Sequence, residues 1–316
     1  MAGAQPLLIH SLVEFDELIE ACLDIAGAGS VLEIGSESGE STKRLVAGAS
    51  GRGGEAWCIE PAPTRELEEL DRTEEAFHLV RGISPAALEG IEPCDAYIVD
   101  GDHNYWTVSH EMEHLGGTGG TGTHPLVILH DVAWPWARRD LYYSPSALPP
   151  EALHPHSWDL GVVPDVDTAV PGGFRGQGSF AVALHEGGAR NGVRTAVEDY
   201  LDGKDDLRFI VVPAIFGLGV VYSAEAPYAS ALEEKLGPLD ANPLIERLER
   251  NRLELYLAVL RTQHEVAELG LRQGRLLAQY DSSITTAETE AAGLRNEVAQ
   301  LRERLKHVDT ETPRRG

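Results

Sequence analysis

Carboxylates and imidazoles follow two short apolar segments of the chain. Asp100 and His103 come after the apolar residues 96–99, and His130 and Asp131 come after the apolar residues 126–129. Such short apolar segments are typical of buried strands, and neighbouring parallel strands end at the same edge of a sheet. The four side chains are therefore predicted to meet. Because an apolar sheet would not carry this polar group for stability, the group is predicted to perform chemistry.

A second set of residues is typical of a cofactor-binding loop. The apolar residues 31–34 predict a buried strand, and Gly35 and Gly39 allow the backbone to turn sharply after it. Ser41 and Thr42 are expected to cap a following helix. The alternative is an ordinary strand, turn and helix that bind no ligand.

The acids around this loop indicate which cofactor it binds. Glu60 ends a second predicted strand, about 20 residues beyond the turn, where a carboxylate accepts hydrogen bonds from both ribose hydroxyls. A dinucleotide loop needs a middle glycine, but Glu37 stands there, and Glu33 and Glu40 add negative charge that would repel a pyrophosphate. A cationic sulfonium cofactor tolerates that charge, so the loop favours S-adenosylmethionine over NAD.

The loop, E-x-G-x-x-x-G-x-S over residues 33–41, resembles that of class I S-adenosylmethionine-dependent methyltransferases, in particular the O-methyltransferase branch. In such enzymes a G-x-S turn after the third strand also contacts the adenine, although Ser84-Pro85 is equally an ordinary helix start. The residues that the resemblance assigns to the cofactor are Glu33, Gly35, Ser36, Gly39, Ser41, Glu60, Ile83, Ser84 and Asp100.

The two strand ends, D-G-x-H and H-D, resemble those of metal-assisted O-methyltransferases of natural-product sugar and cephalosporin biosynthesis and of the catechol-type branch. The resemblance implies that Asp100, His130 and Asp131 hold a divalent metal, Mg or Mn, and that Asp100 and His103 are catalytic, with His103 the general base. The chemistry is consistent, because a hydroxyl must lose its proton as it attacks a methyl group, and imidazole titrates in the useful range.

Two points leave this assignment open. The sugar-modifying relatives carry Glu where this chain has His130, and imidazole suits Mn, Fe or Zn better than Mg. Alternatively, Asp100 only orients the cofactor and His103 caps the next helix, a position that Asp102 or Asn104 could also take.

The surrounding pattern predicts an α/β fold: a doubly wound, mostly parallel, Rossmann-like sheet, followed by a C-terminal coiled-coil helix. Strands are expected at residues 31–34, 55–59, 77–80, 96–99 and 126–129, alternating with helices. Strands at 207–212 and 218–222 form the closing antiparallel hairpin that the resemblance implies. The predicted domains are an N-terminal helical segment (1–30), a methyltransferase domain (31–235), a coiled-coil helix (242–306) and a disordered tail (307–316).

A long segment, 133–178, interrupts the alternation directly after the fifth strand and is rich in Pro, Gly and aromatic residues. Ligands bind beyond the carboxyl ends of the strands in such sheets, so the segment is predicted to be a substrate-binding lid. The alternative is a surface loop that covers core. Arg138 and Arg139 are expected to hold a phosphate or carboxylate of the acceptor. The predicted substrate residues are Trp134, Trp136, Arg138, Arg139, Tyr142 and Tyr143.

The C-terminal segment carries apolar or small residues three and four positions apart from Leu277 to Leu305, with an earlier register offset around Gly270 and Gly274. This heptad pattern predicts a homo-oligomer formed through a coiled coil. The alternative is a single arm that folds back on its own domain.

The charge of the chain excludes several classes of partner. The chain has 51 acidic and 26 basic residues, a net charge of −25, which opposes binding to nucleic acid or to an anionic membrane. Three cysteines and no long apolar segment predict a reduced, cytoplasmic protein.

The sequence therefore predicts methyl transfer from S-adenosylmethionine to a hydroxyl of a small molecule, with a sugar or glycosylated metabolite as the favoured acceptor. A phenolic or other small acceptor is the second hypothesis. The third is a coiled-coil scaffold whose methyltransferase domain binds ligand but is inactive.

Overall fold

The computed structural model describes residues 8–36, 38–116 and 123–310, with side chains through residue 305. The chain divides into two compact units, Met1–Leu260 and Arg261–Gly316. The first contains every strand and almost every helix, and the second consists of the continuation of the last helix.

The main sheet has seven strands: β1 (Ser30–Ile34), β2 (Glu55–Ile59), β3 (Phe77–Val80), β4 (Ala96–Val99), β5 (Leu126–Leu129), β9 (Leu207–Val212) and β10 (Leu218–Ser223). Their order in the sheet is β3-β2-β1-β4-β5-β10-β9. All neighbours are parallel except β10, which is antiparallel to both β5 and β9. The doubly wound sheet and its closing hairpin confirm the predicted fold class.

Helices cover both faces of this sheet. The α-helices are α1 (Asp16–Ala26), α2 (Glu40–Gly51), α3 (Arg65–Thr73), α4 (Tyr105–Gly116), α5 (Val193–Leu201), α6 (Ala229–Leu236) and α7 (Pro243–Thr310). A 3-10 helix, Leu12–Phe15, precedes α1. The core on one face includes α4 and α5, and the core on the other includes α1 and α6.

The start of α2 differs from the sequence-based expectation, and the start of α4 matches one of the alternatives that the sequence offered. Gly39, not Ser41 or Thr42, is the residue before α2, and it adopts the left-handed conformation (φ 74°). The two hydroxyls instead donate to buried carboxylates, Ser41 to Asp16 at 3.0 Å and Thr42 to Glu33. Helix α4 begins at Tyr105 because the Asn104 side chain accepts a hydrogen bond from the backbone N–H of Thr107 at 2.9 Å.

The segment after β5 is more ordered than its composition predicts. It contributes β6 (Leu141–Tyr142) and β7 (His156–Ser157), which pair on either side of β8 (Ala181–Ala183) in a small antiparallel sheet. The ordered insertion thus extends beyond residue 178, because β8 supplies the strand that joins the other two.

Helix α7 is continuous across Gly270 and Gly274. It extends through Thr310, four residues into the tail that was predicted to be disordered, and the rest of that tail lies outside the described residues. Within the described residues, each helix lacks the combination of length and apolarity that a membrane crossing requires.

Candidate active site

A cavity of about 1230 Å³ opens at the carboxyl ends of the parallel strands. Its wall includes the loop after β1, the residue that follows β2, the turn after β3 and the polar residues that follow β4 and β5. The predicted cofactor and catalytic residues that line it are Glu33, Gly35, Ser36, Ser41, Glu60, Ile83, Ser84, Asp100, His103, His130 and Asp131.

Two glycines shape the loop after β1. Gly35 has φ 83°, and a Cβ there would lie 2.4 Å from the carbonyl oxygen of Asp100, so only glycine fits. Gly39 has φ 74°, and a Cβ there would lie 2.7 Å from the Leu67 side chain. The backbone therefore passes close to the end of β4. Glu37 lies outside the described residues.

Glu60 is held by the loop that it faces. Its Oε2 accepts hydrogen bonds from the backbone N–H and the hydroxyl of Ser36 at 3.2 and 3.3 Å, and its Oε1 accepts from the N–H of Ala62 at 3.0 Å. A carboxylate has about four acceptor positions, so Glu60 keeps capacity for the hydroxyls of a ligand.

Glu33 contributes less negative charge than its residue type suggests. Burial, together with the nearby carboxylates of Asp100, Asp16 and Glu60, raises the pKa of Glu33 to about 8, although the hydrogen bond from Thr42 opposes the shift. The carboxyl is mostly protonated at neutral pH and acts as a structural support beneath the loop.

The polar residues after β4 and β5 meet as expected, because these strands are parallel neighbours with Val99 opposite Leu129. His103 Nδ1 lies 3.0 Å from Asp131 Oδ2. His130 Nδ1 lies 3.1 Å from Asp100 Oδ1 and 3.6 Å from Asp131 Oδ2. Asp131 has φ 62°, a conformation that is uncommon for a residue with a side chain.

The other nitrogen of His130 has a separate partner. Nε2 lies 2.8 Å from the carbonyl oxygen of Ile215 and donates to it, so Nδ1 is the nitrogen that faces the two carboxylates. Burial alone would lower the pKa of His130, but Asp131, Asp100 and the Ile215 carbonyl together raise it to about 9.

The donor set fits a divalent cation. The candidate ligand atoms of Asp100, His130 and Asp131 lie within 4.8 Å of one another. Asp131 Oδ1 is buried and has no hydrogen-bond partner among the described residues, an arrangement that is costly unless a cation compensates it. An ion bound here would displace the proton that a pKa of about 9 leaves on Nδ1 of His130, while Nε2 keeps its hydrogen bond to Ile215; Nδ1 is therefore the atom that would hold the ion.

The turn after β3 contacts a buried acid of α4 that sequence reasoning missed. Ser84 donates its hydroxyl hydrogen to Glu111 of α4, whereas Ile83 is more than half exposed. Burial raises the pKa of Glu111 to about 8. An acid at a core-facing position of α4, between Val108 and Met112, was the available signal.

The predicted substrate residues separate into two groups. Trp136 and Tyr143 line the cavity, whereas Trp134, Arg138, Arg139 and Tyr142 do not. Arg138 Nη2 pairs with Glu198 at 2.6 Å.

Arg139 is fully buried and donates at 2.7 Å to the carbonyl oxygens of Ala183 and Asp167. Tyr142 is also buried and donates its hydroxyl hydrogen to Asp140 at 2.9 Å. Arg138, Arg139 and Tyr142 thus stabilise the insertion and its contact with α5.

Five further aromatic residues line the cavity and were not among the predicted substrate residues: Trp106, Phe174, Phe180, Phe216 and Tyr256. Phe216 lies in the turn between β9 and β10, and Tyr256 lies on α7. Neither position follows a parallel strand, so no local pattern connected them with the site.

Residues 32–132 match a family model described as a methyltransferase domain. No curated protein sequence matches the chain significantly. Among solved structures, the SAH-bound methyltransferase PaMTH1 of Podospora anserina is 15% identical, with a TM-score of 0.41, over 66% of this chain and 77% of that one.

The SAH-bound O-methyltransferase of Bacillus cereus is 14% identical, with a TM-score of 0.41, over 69% of this chain and 84% of that one. TomG of Streptomyces achromogenes, an O-methyltransferase involved in tomaymycin synthesis and solved with SAM, is 16% identical, with a TM-score of 0.38, over 68% of this chain and 82% of that one.

Proposed function

We propose that this protein transfers a methyl group from S-adenosylmethionine to a hydroxyl of a small molecule. One observation carries the proposal: a single cavity is lined both by the Gly35–Glu60 loop region and by the His103–Asp131 pair. Such a transfer requires a cofactor-binding site and a proton acceptor that line the same cavity. The match to a methyltransferase family model over residues 32–132 supports the assignment.

The cofactor region is suited to a ligand that carries a ribose and a positive charge. Glu60 is oriented by Ser36 and Ala62 and keeps acceptor capacity for the ribose hydroxyls. Gly35 brings the backbone against the end of β4, and both Gly35 and Asp100 line the cavity at that point. S-adenosylmethionine, when bound, supplies a methyl group on a sulfonium centre. The acids Glu60, Asp100 and Asp102 on the cavity wall favour that cation.

His103 is the general base in this proposal. Its Nδ1–H donates to Asp131 at 3.0 Å, which leaves Nε2 able to take the proton of the acceptor hydroxyl. Asp131 fixes the ring and stabilises the imidazolium that forms, as the acid does in other His–Asp pairs. Asp100, His130 and Asp131 would hold a divalent cation, whose chemistry there is to lower the pKa of the acceptor hydroxyl.

The sequence favoured a sugar acceptor over a phenolic one, partly because Arg138 and Arg139 could hold an anionic group. Both guanidinium groups instead bond within the insertion. The aromatic residues on the cavity wall accommodate either the apolar face of a sugar or a planar ring.

We also propose that the chain self-associates through α7. The heptad residues Leu277, Ile284 and Leu294 are each more than half exposed, and an apolar stripe of this kind is buried when a second copy supplies the same stripe.

The cofactor assignment is tested by calorimetry with S-adenosylhomocysteine. Glu60→Ala should weaken binding by about 10- to 100-fold, the effect of losing hydrogen bonds to a charged group. Glu66→Ala, which removes an exposed acid of α3, is the matched control and should bind as the native protein does. Native protein that binds NAD but releases no heat with S-adenosylhomocysteine would contradict the proposal.

The role of His103 is tested by S-adenosylhomocysteine release over a panel of hydroxylated compounds. His103→Ala should lower turnover of any acceptor by about 100- to 10,000-fold and leave cofactor affinity nearly unchanged, because a general base acts in the transition state. Loss of cofactor binding together with turnover would instead assign His103 to the cofactor region.

A further inference from the structure

Six of the aromatic side chains that line the cavity form what we call the aromatic wall. A seventh, Trp106, pairs with His110 instead and is not part of it. Four of the six come from the insertion as far as β8, one from the turn between β9 and β10, and one from α7. The aromatic wall consists of Trp136, Tyr143, Phe174, Phe180, Phe216 and Tyr256.

The rings of the wall form a continuous series that begins at the proposed base. The His103 ring lies 5.8 Å from Tyr143, and Tyr143 lies 6.2 Å from Phe180. Phe180 lies 6.3 Å from Phe174, which in turn lies 6.2 Å from Tyr256. These centroid distances are those of interacting aromatic pairs. Tyr256 is therefore the last ring of the series that begins at His103.

The part of α7 that carries Tyr256 is held against the sheet domain. Leu253 is buried in a cluster with Leu8 and Phe216, and Tyr256 packs against this cluster. The guanidinium of Arg252 lies 5.7 Å from the centre of the Phe216 ring. Tyr256 thus has a defined position on the wall of the cavity, even though it belongs to a helix that continues into the other unit.

The wall carries no charge that would hold an anion. Within the described part of the chain, no Arg or Lys side chain lines the cavity, whereas several carboxylates do. The imidazole of His130, which also lines it, is already paired with Asp100 and Asp131. The volume of the cavity, about 1230 Å³, exceeds the roughly 300–1,000 Å³ of ordinary small-molecule pockets. A cavity of this size has room for a cofactor and an acceptor together.

We propose that the aromatic wall binds the ring system of an uncharged, polycyclic, hydroxylated acceptor, and that Tyr256 is a specificity-determining residue that contacts the rings farthest from the reacting hydroxyl. This inference rests on the proposed function, since it places the hydroxyl at His103. A polyhydroxylated sugar fits less well, because each of its hydroxyls needs a polar partner and the wall is mostly hydrocarbon.

The full-length protein, saturated with S-adenosylhomocysteine, allows a direct test with fluorescent probes. 1-Hydroxypyrene, which has four rings and one hydroxyl, should bind with a dissociation constant of about 10 µM. Its trisulfonated analogue, 8-hydroxypyrene-1,3,6-trisulfonate, should bind at least about 100-fold more weakly because acids line the cavity without a lysine or arginine to pair the sulfonates. Equal affinity for the two probes would overturn the inference.

Substitutions on α7 test the role of Tyr256. Tyr256→Ala should weaken 1-hydroxypyrene binding by about tenfold, as expected for the loss of an aromatic contact, and Tyr256→Phe should restore it. Binding of phenol, a single ring, should be unchanged in both variants. Leu255→Ala, which alters an exposed side chain next to Tyr256 on the same helix, is the control and should bind like the native protein.

The outcomes separate this inference from the proposed function. Unchanged S-adenosylhomocysteine affinity shows that each variant is folded. A native protein that binds S-adenosylhomocysteine but not 1-hydroxypyrene, or a Tyr256→Ala variant that binds the probe normally, overturns the inference and leaves the proposed function in place. Absence of S-adenosylhomocysteine binding by the native protein overturns the proposed function itself.

Discussion

At the level of single residues, His130 places its Nδ1 atom beside the carboxylates of Asp100 and Asp131. Its Nε2 is engaged by the Ile215 carbonyl, so the ring is oriented with Nδ1 toward the carboxylates before any ion binds. Magnesium prefers oxygen ligands in octahedral geometry, whereas imidazole suits manganese, iron and zinc. One side chain thus biases the choice of metal.

We expect the full-length protein to bind Mn²⁺ at least about 10-fold more tightly than Mg²⁺, and His130→Glu to reduce that ratio because it replaces nitrogen with oxygen. Calorimetric titration with each ion measures both affinities directly. His185→Glu, at an exposed histidine, controls for the added negative charge. A ratio that stays the same in His130→Glu would show that His130 does not bind the ion.

Two adjacent arginines differ in what they contribute to stability. Arg139 is fully buried and donates to backbone carbonyls, whereas Arg138 is about one-third exposed and pairs with Glu198, itself equally exposed. Removing a buried charge that satisfies several acceptors leaves those acceptors unpaired, while an exposed ion pair contributes little.

Arg139→Ala should therefore lower the free energy of unfolding by about 3 kcal/mol, and Arg138→Ala by less than about 1 kcal/mol. Urea denaturation of the two variants provides the comparison. Equal losses would mean that the insertion does not depend on Arg139. The same two variants also test whether either arginine binds the acceptor. An arginine that bound an anionic acceptor would, when replaced, weaken acceptor binding more than it lowered the free energy of unfolding.

At the level of elements, the first turns of α7 belong to the sheet domain. Leu253 and Leu257 are buried, and Arg252 donates to the backbone carbonyl of Ile9 at 2.6 Å. Glu249 accepts from the N–H of Phe216 at 3.2 Å. The first compact unit accordingly extends to Leu260, past residue 242, where the sequence pattern began the coiled coil.

Truncation of the chain after Leu260 should leave a protein that folds and binds S-adenosylhomocysteine normally. Truncation after Ala241 should lower the free energy of unfolding by at least about 3 kcal/mol, because it exposes the partners of Leu253 and Leu257. Thermal denaturation and calorimetry on the two proteins measure both effects. Similar stability of the two would contradict the assignment of these turns to the sheet domain.

At the level of the whole molecule, α7 beyond residue 260 exposes an apolar stripe on a strongly acidic protein. The stripe includes Tyr280, Leu294, Val298, Leu301 and Leu305, all of them exposed. A net charge of −25 opposes non-specific association, so a specific coiled coil is the contact that this stripe predicts.

We expect light scattering to show an oligomer for the full-length chain and a monomer for the double variant Leu294→Glu, Leu301→Glu, which places charges in the seam. The variant should still bind S-adenosylhomocysteine, because both positions lie outside the first unit. Salt should strengthen association of the native chain, since it screens repulsion between acidic copies. Equal masses for the native and variant proteins would mean either that both associate through another surface or that neither associates.

The sequence alone determined what depends on local pattern. Alternation of apolar segments with helices predicted the order of strands, and β5 and β9 have the bounds that were expected. Gly35 and Glu60 were identified because a turn and a strand end have characteristic residue types at a characteristic spacing. The meeting of Asp100 with His130 followed from the rule that parallel neighbours end together.

Which side chains face the cavity depends on contacts between distant segments of the folded chain. Arg139 and Tyr142 turn into the insertion because carbonyls and Asp140 inside it are their hydrogen-bond partners, which a list of residue types does not reveal. Phe216 and Tyr256 reach the cavity through contacts between segments far apart in sequence. Hydrophobic periodicity predicts which face of a helix or strand is buried. Which neighbour a side chain then contacts depends on the packing of the whole domain.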